Sequence, residues 1–291
     1  MNEDNSFYRL KDVAWNQSNG SHYYVVCCPV YFYKGTSFSI EDVKKCSQFA
    51  YEVSQRPEAF DNKIRSEFQI FLDTLEGKLG EEAVYHQLMN IGFQVSPINF
   101  EKYPRGQWDT TDLVISVNGN IKNIQIKTTK CFGQLLLLSK KDWDKQGLYI
   151  PDRNIHQNLD FDGRYDLIIF QRISLNTREI KKNIESQFQI AKAKNNFNDL
   201  LKKIIEYFEG EEKLFQYDKA RFITYSELTN QIIGKNYLIR KNDYLRIKQP
   251  NENCKNLSNV GKKFTRMQTD NYYVQINNMH TLNELPNLFN I

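Results

Sequence analysis

The sequence predicts an α/β fold. Strands and helical stretches alternate along the chain, a hairpin signal joins two of the strands, and one apolar run has the pattern of a strand buried on both faces. The 291 residues make one large domain or two modest ones. That length buries a sizeable core without a disulfide or metal staple.

The elements follow in chain order. Tyr23–Tyr33 is rich in β-formers and reads as one or two strands broken at Pro29. It is the longest apolar stretch and is too short to span a membrane. Ser39 to Gln55 reads as a helix, with Ser39 as N-cap and Glu41 and Asp42 in the first turn, where the dipole favours negative charge. Glu67 to Ile91 reads as a helix interrupted near Gly77–Gly80, and Phe93 to Ser96 as a short strand ending at Pro97. Asp112 to Val117 and Ile121 to Lys127 read as strands around Asn118-Gly119, a dipeptide that favours the type I′ turn. Leu135 to Leu138 is a further apolar run, and Asp166 to Ile173 holds the doubly buried strand. Residues 177 to 210 are Lys/Glu-rich and helical, expected as a solvated excursion. Arg221 to Tyr225 reads as a strand, followed by a short helix to Ile233.

These elements suggest three segments: 1–65, 66–234 and a C-terminal region, 235–291. The polar, acidic first residues argue against a secretory signal. Five cysteines, an odd number with no CxxC spacing, fit a reducing cytoplasm, and the four histidines are too far apart for a His-rich metal site. The net charge of +4 decides little by itself. Its distribution says more. Between 230 and 270, nine basic residues stand against three acidic ones: Lys235, Arg240, Lys241, Arg246, Lys248, Lys255, Lys262, Lys263 and Arg266 against Asp243, Glu252 and Asp270. Tyr237, Tyr244 and Phe264 are interleaved, a mixture suited to phosphate and base contacts, though a solvated surface has the same look.

Two places carry chemistry. At about 100° per residue, Val84, Tyr85, Leu88 and Ile91 fall on either side of Glu81, which puts Glu81 inside the apolar arc and Glu82 on the flank toward His86 and Met89. A carboxylate on a buried face needs a partner, and a half-exposed Glu at a helix edge is the competing reading. In the hairpin, Asp112 shares a sheet face with Gln125 and Lys127 in either turn register, while Ile124 and Ile126 anchor the opposite face. A solvated polar face would look the same.

In this order, Gly80-Glu81-Glu82-Ala83-Val84, Thr111-Asp112-Leu113-Val114-Ile115 and Ile124-Gln125-Ile126-Lys127 resemble the PD-(D/E)XK nuclease superfamily. Gly80-Glu81 followed by Gly92-Phe93 is also similar to the first helix of archaeal Holliday-junction resolvases. The resemblance covers roughly residues 66 to 175 and departs from the pattern at Thr111 (for Pro) and at Gln125 (for an acid). It implies a restriction-endonuclease-like core with a central mixed β-sheet flanked by helices and with additions at both ends. It implies that Asp112, the Gln125 side-chain oxygen and the Ile126 carbonyl hold Mg²⁺, or Mn²⁺ in its place, with Glu81 on a second ion or on waters of the first. Lys127 would orient or deprotonate the nucleophile, or stabilise developing charge. Asp109 is a fallback ligand, and Thr128, Thr129, Lys130, Arg240, Lys241, Arg246, Lys248, Lys262, Lys263 and Arg266 are candidate DNA contacts. The implied activity is cleavage of double-stranded DNA, foremost by a Type II restriction endonuclease, with a homodimer and a cognate DNA methyltransferase as partners. A junction resolvase, a transposon end-cleaving subunit, a phage-defence effector and a non-cutting DNA-binding protein are the alternatives.

Overall fold

Ser39 starts the first helix as its sequence suggests. Its hydroxyl accepts from Asp42 N–H and the Asp42 carboxylate accepts from Ser39 N–H, at 3.1 Å each, closing a capping box on α1 (Ile40–Ser54). Ser66 caps α2 (Glu67–Asn90) through its side chain, accepting from Gln69 N–H. The computed structural model describes residues 7–12, 20–32, 35–55, 65–102, 111–143, 165–175, 177–210, 215–248 and 264–290.

The strands are β1 (Lys11–Asp12), β2 (Tyr23–Val26), β3 (Thr36–Ser37), β4 (Gln94–Val95), β5 (Leu113–Val117), β6 (Asn120–Lys130), β7 (Leu135–Ser139), β8 (Leu167–Ser174), β9 (Gln216–Tyr217), β10 (Arg221–Thr224), β11 (Leu238–Ile239), β12 (Tyr244–Ile247), β13 (Thr265–Arg266), β14 (Asn271–Gln275) and β15 (His280–Thr281). The longer helices after α2 are α3 (Thr177–Lys194) and α4 (Asn198–Gly210). The chain is α/β, with a curled mixed sheet flanked by helices. No helix among the described residues is long and apolar enough to cross a membrane.

The chain folds as two units, and neither follows the sequential segments. One comprises 1–31, 133–167 and 221–280, the other 32–132, 168–220 and 281–291.

The second unit holds Glu81, Asp112, Gln125 and Lys127. Its strands run in the order β8-β6-β5-β4, with β9 antiparallel to the end of β8 and β3 paired to β9. The β5–β6 hairpin turns through Asn118 and Gly119, both at positive φ, so Val117 faces Asn120 as the dipeptide predicts. Helices α1 and α2 pack on each other, and α2 lies along β6. Phe68, Phe71 and Phe188 pack with ring centres 5.3 to 6.1 Å apart in the core between helices. Each such buried ring stabilises the fold by roughly 1.5–3 kcal/mol.

Two expectations change here. α2 runs without the break expected at Gly77–Gly80. The stretch 177–210 is not a solvated excursion. Ile184, Phe188 and Ala191 of α3 and Leu200 and Ile204 of α4 are buried in the core, and the Lys/Glu content belongs to the outward faces.

In the first unit, β1-β2-β12-β13 form a small sheet in which β2 and β12 run parallel, and β11-β14-β7 form an antiparallel one. Among the described residues of the expected Tyr23–Tyr33 strands, Tyr23–Val26 forms a strand. Tyr23 stacks on Tyr244 at 4.7 Å and meets Phe264 edge-on. The cross-strand aromatic cluster, rather than a large core, holds this sheet together.

Candidate active site

A glycine sets how close α2 comes to β6. A Cβ on Gly80 would lie 1.8 Å from Thr128 Oγ1 and 2.7 Å from Thr128 Cβ, so only glycine permits this approach. The next residue on the helix, Glu81, and the preceding residue on the strand, Lys127, then line the same cavity, about 510 Å³ in volume. Thr128 also lines it, but its hydroxyl is wedged against the helix, so its first role is in the helix–strand seam.

Asp112 enters just before β5. Regular pairing ends at Leu113 opposite Ile124, and the Asp112 N–H goes to the Ile124 carbonyl at 3.1 Å. The ladder thus stops one residue short of Asp112. The Asp112 carboxylate instead accepts from the backbone N–H of Ile126 at 2.5 Å. Burial pushes its carboxyl up from the usual range, against the pull of that N–H and of Lys127 and Lys78. Asp112, Ile126 and Lys127 are thus neighbours.

Gln125 is 5% exposed, and its Oε1 is buried without a hydrogen bond. An orphaned buried carbonyl is costly, and a cation would satisfy it. The available donors, the carboxylates of Asp112 and Glu81, the Gln125 amide oxygen and the Ile126 carbonyl, are all oxygen. That set fits Mg²⁺ or Mn²⁺.

Glu81 carries a partner that the sequence reading missed. Lys78, one turn earlier on α2, sits 2.6 Å from its carboxylate, and both side chains are only 12–13% exposed. The Lys78 ammonium also lies 5.3 and 5.5 Å from the ring centres of Phe49 and Phe100. The i, i+3 spacing from Glu81 was the available signal. Compared with protein-family models, curated proteins and solved structures, the chain matches none.

The cavity has a second rim that sequence reasoning also missed. Lys130 of β6 and Arg178 and Lys181 of α3 line it together with Asp73 and Glu76 of α2. Burial raises the Glu76 carboxyl, and Lys130 pulls it back. Lys130 was expected near DNA and does face this cavity, whereas Thr129 is not among its lining residues.

Glu82 was expected on the helix flank. It is 3% exposed and bonds Lys45 of α1 at 3.4 Å, because α1 covers that side of α2. Its carboxylate, that of Asp42 and the His86 ring lie within 4.8 Å of one another. Asp42 is already used in the α1 cap and Glu82 in the Lys45 pair, so these groups serve helix packing.

In the first unit, Arg240, Lys241 and Arg266 are exposed at one end of the small sheet, where Lys241 N–H bonds Asp270 and Arg266 bonds Asn242. Lys248 is half-buried. Arg246 is 5% exposed with its guanidinium 5.9 Å from the Phe264 ring centre, so it supports the sheet instead of presenting a surface cation. Asp109, Lys262 and Lys263 lie outside the described residues.

Proposed function

We propose that this protein is a Mg²⁺-dependent endonuclease that hydrolyses phosphodiester bonds of double-stranded DNA, and within that class a Type II restriction endonuclease. The observation that supports the reading is the buried Asp112 carboxylate on the Ile126 backbone N–H, within the reach of the Lys127 charge, with Ile126, Lys127 and Glu81 lining one cavity. Asp112, Gln125 and Ile126 would hold the ion, with Glu81 at its margin. A bound divalent ion would polarise the phosphate and make a water acidic enough to attack it. Lys127 would place that water and meet the charge that develops on the phosphoryl oxygens. Lys130, Arg178 and Lys181 would engage neighbouring phosphates at the rim. A homodimer and a partner DNA methyltransferase belong to the same proposal.

Gln125 favours a second reading, a non-cutting DNA-binding protein, because a neutral amide replaces one charge at the ion. Plasmid cleavage in Mg²⁺ separates the two. Wild type is expected to give discrete fragments that EDTA prevents. Asp112→Ala and Lys127→Ala are expected to lose about a hundredfold or more in rate. Equal cutting by both variants would remove this site assignment, and duplex binding without cutting in Mg²⁺ or Mn²⁺ would support the second reading.

A further inference from the structure

The carboxylates that would receive a divalent ion already have a shielded cation among them. Lys78 donates to Glu81 at 2.6 Å, both side chains are nearly buried, and the ring centres of Phe49 and Phe100 lie 5.3 and 5.5 Å from the ammonium. The helix fixes this arrangement, since residues one turn apart share a face. A lysine so placed differs from a surface lysine that water can strip from its partner. Its attraction to Glu81 acts in a poorly hydrated region, where a unit charge is felt strongly. Its charge is also felt at Asp112, where it favours the carboxylate against the larger effect of burial.

The charge of the centre follows. Glu81 and Asp112 supply two negative charges, Lys78 and Lys127 two positive ones, and Gln125 none. Without an ion the centre is close to neutral, so an arriving divalent cation meets little net attraction.

Resting on the proposed metal centre, we infer that Lys78 is a resident counter-ion of the site, and that a divalent cation binds in competition with its ammonium for Glu81. Lys78 then sets the ion affinity. It weakens ion binding.

The test is Mn²⁺ binding by titration calorimetry, without DNA, on wild type, Lys78→Met, Lys78→Arg and Asp112→Asn. The ion that Asp112→Asn loses is the one scored, which separates it from any held elsewhere. Lys78→Met is expected to bind that ion at least about tenfold more tightly than wild type. Lys78→Arg, which keeps the charge, is expected to stay near wild type. Adding Glu81→Gln to Lys78→Met is expected to cancel most of the gain, because the competition is for Glu81. A merely structural lysine predicts the reverse, with Lys78→Met loosening the site and weakening the ion. Unchanged or weaker binding by Lys78→Met, with Asp112→Asn still losing its ion, overturns the inference and leaves the metal centre standing. If Asp112→Asn loses no ion, the metal centre fails and the inference with it. Circular dichroism of each variant confirms folding, and Lys78→Gln replaces Lys78→Met if the latter does not fold.

Discussion

Adjacent carboxylates on α2 have different work. Glu81 faces the cavity and Lys78, whereas Glu82 faces α1 and Lys45. The helical wheel located Glu81 on an apolar arc because Val84 and Leu88 flank it. It misjudged Glu82 because a wheel carries only one helix, and the second buried side of α2 exists only once α1 has docked. Glu82 allows a test. Burial raises its carboxyl from the ordinary value, more than Lys45 lowers it. The native state therefore keeps its proton to higher pH than the unfolded chain, and wild-type stability falls as pH rises through that window. Glu82→Gln cannot titrate. In EDTA, the melting temperature of the variant minus that of wild type is expected to rise as the pH climbs above the ordinary glutamate value of about 4.3. A flat difference would show that the Glu82 carboxyl is not shifted.

Among elements, α2 matters most, because it supplies Lys78, Glu81 and the close approach to β6. Its two interior glycines differ in kind. Nothing lies within 4 Å of a Cβ built on Gly77, while one on Gly80 would collide with Thr128. Gly77→Ala is expected to stabilise the protein by about 0.5–1 kcal/mol through helix propensity. Gly80→Ala gains the same propensity but must push α2 off β6, at a net loss of roughly 1–3 kcal/mol. Denaturant unfolding of the two variants checks both signs, and stabilisation by Gly80→Ala would mean that the seam is loose. The two glycines look alike in sequence, and both suggested a break in the helix. Capping and turn signals read better. Ser39, Asp42, Asn118 and Gly119 did what their local chemistry dictates, because each acts on backbone groups within three residues of itself.

Across the whole molecule, each unit is assembled from separated stretches, and the surplus of positive charge lies in the one that does not carry the motifs. On the proposed function, its exposed cations grip DNA electrostatically. Replacing Arg240, Lys241 and Arg266 together with alanine is expected to weaken duplex binding at low salt and to lower the slope of log affinity against log salt by about 2–3. An unchanged slope would place the grip elsewhere, with Lys130, Arg178 and Lys181 the next to test. The sequence by itself determined the α/β class, most of the long elements and the order Glu81, Asp112, Gln125, Lys127, since periodicity, caps and turns are local properties. Only the tertiary structure decided that Asp112 binds the Ile126 backbone, that Lys78 stands beside Glu81, that α3 rims the cavity and that Arg246 is buried. Those facts depend on which surfaces meet when distant segments pack, and no local pattern in the chain encodes the meeting.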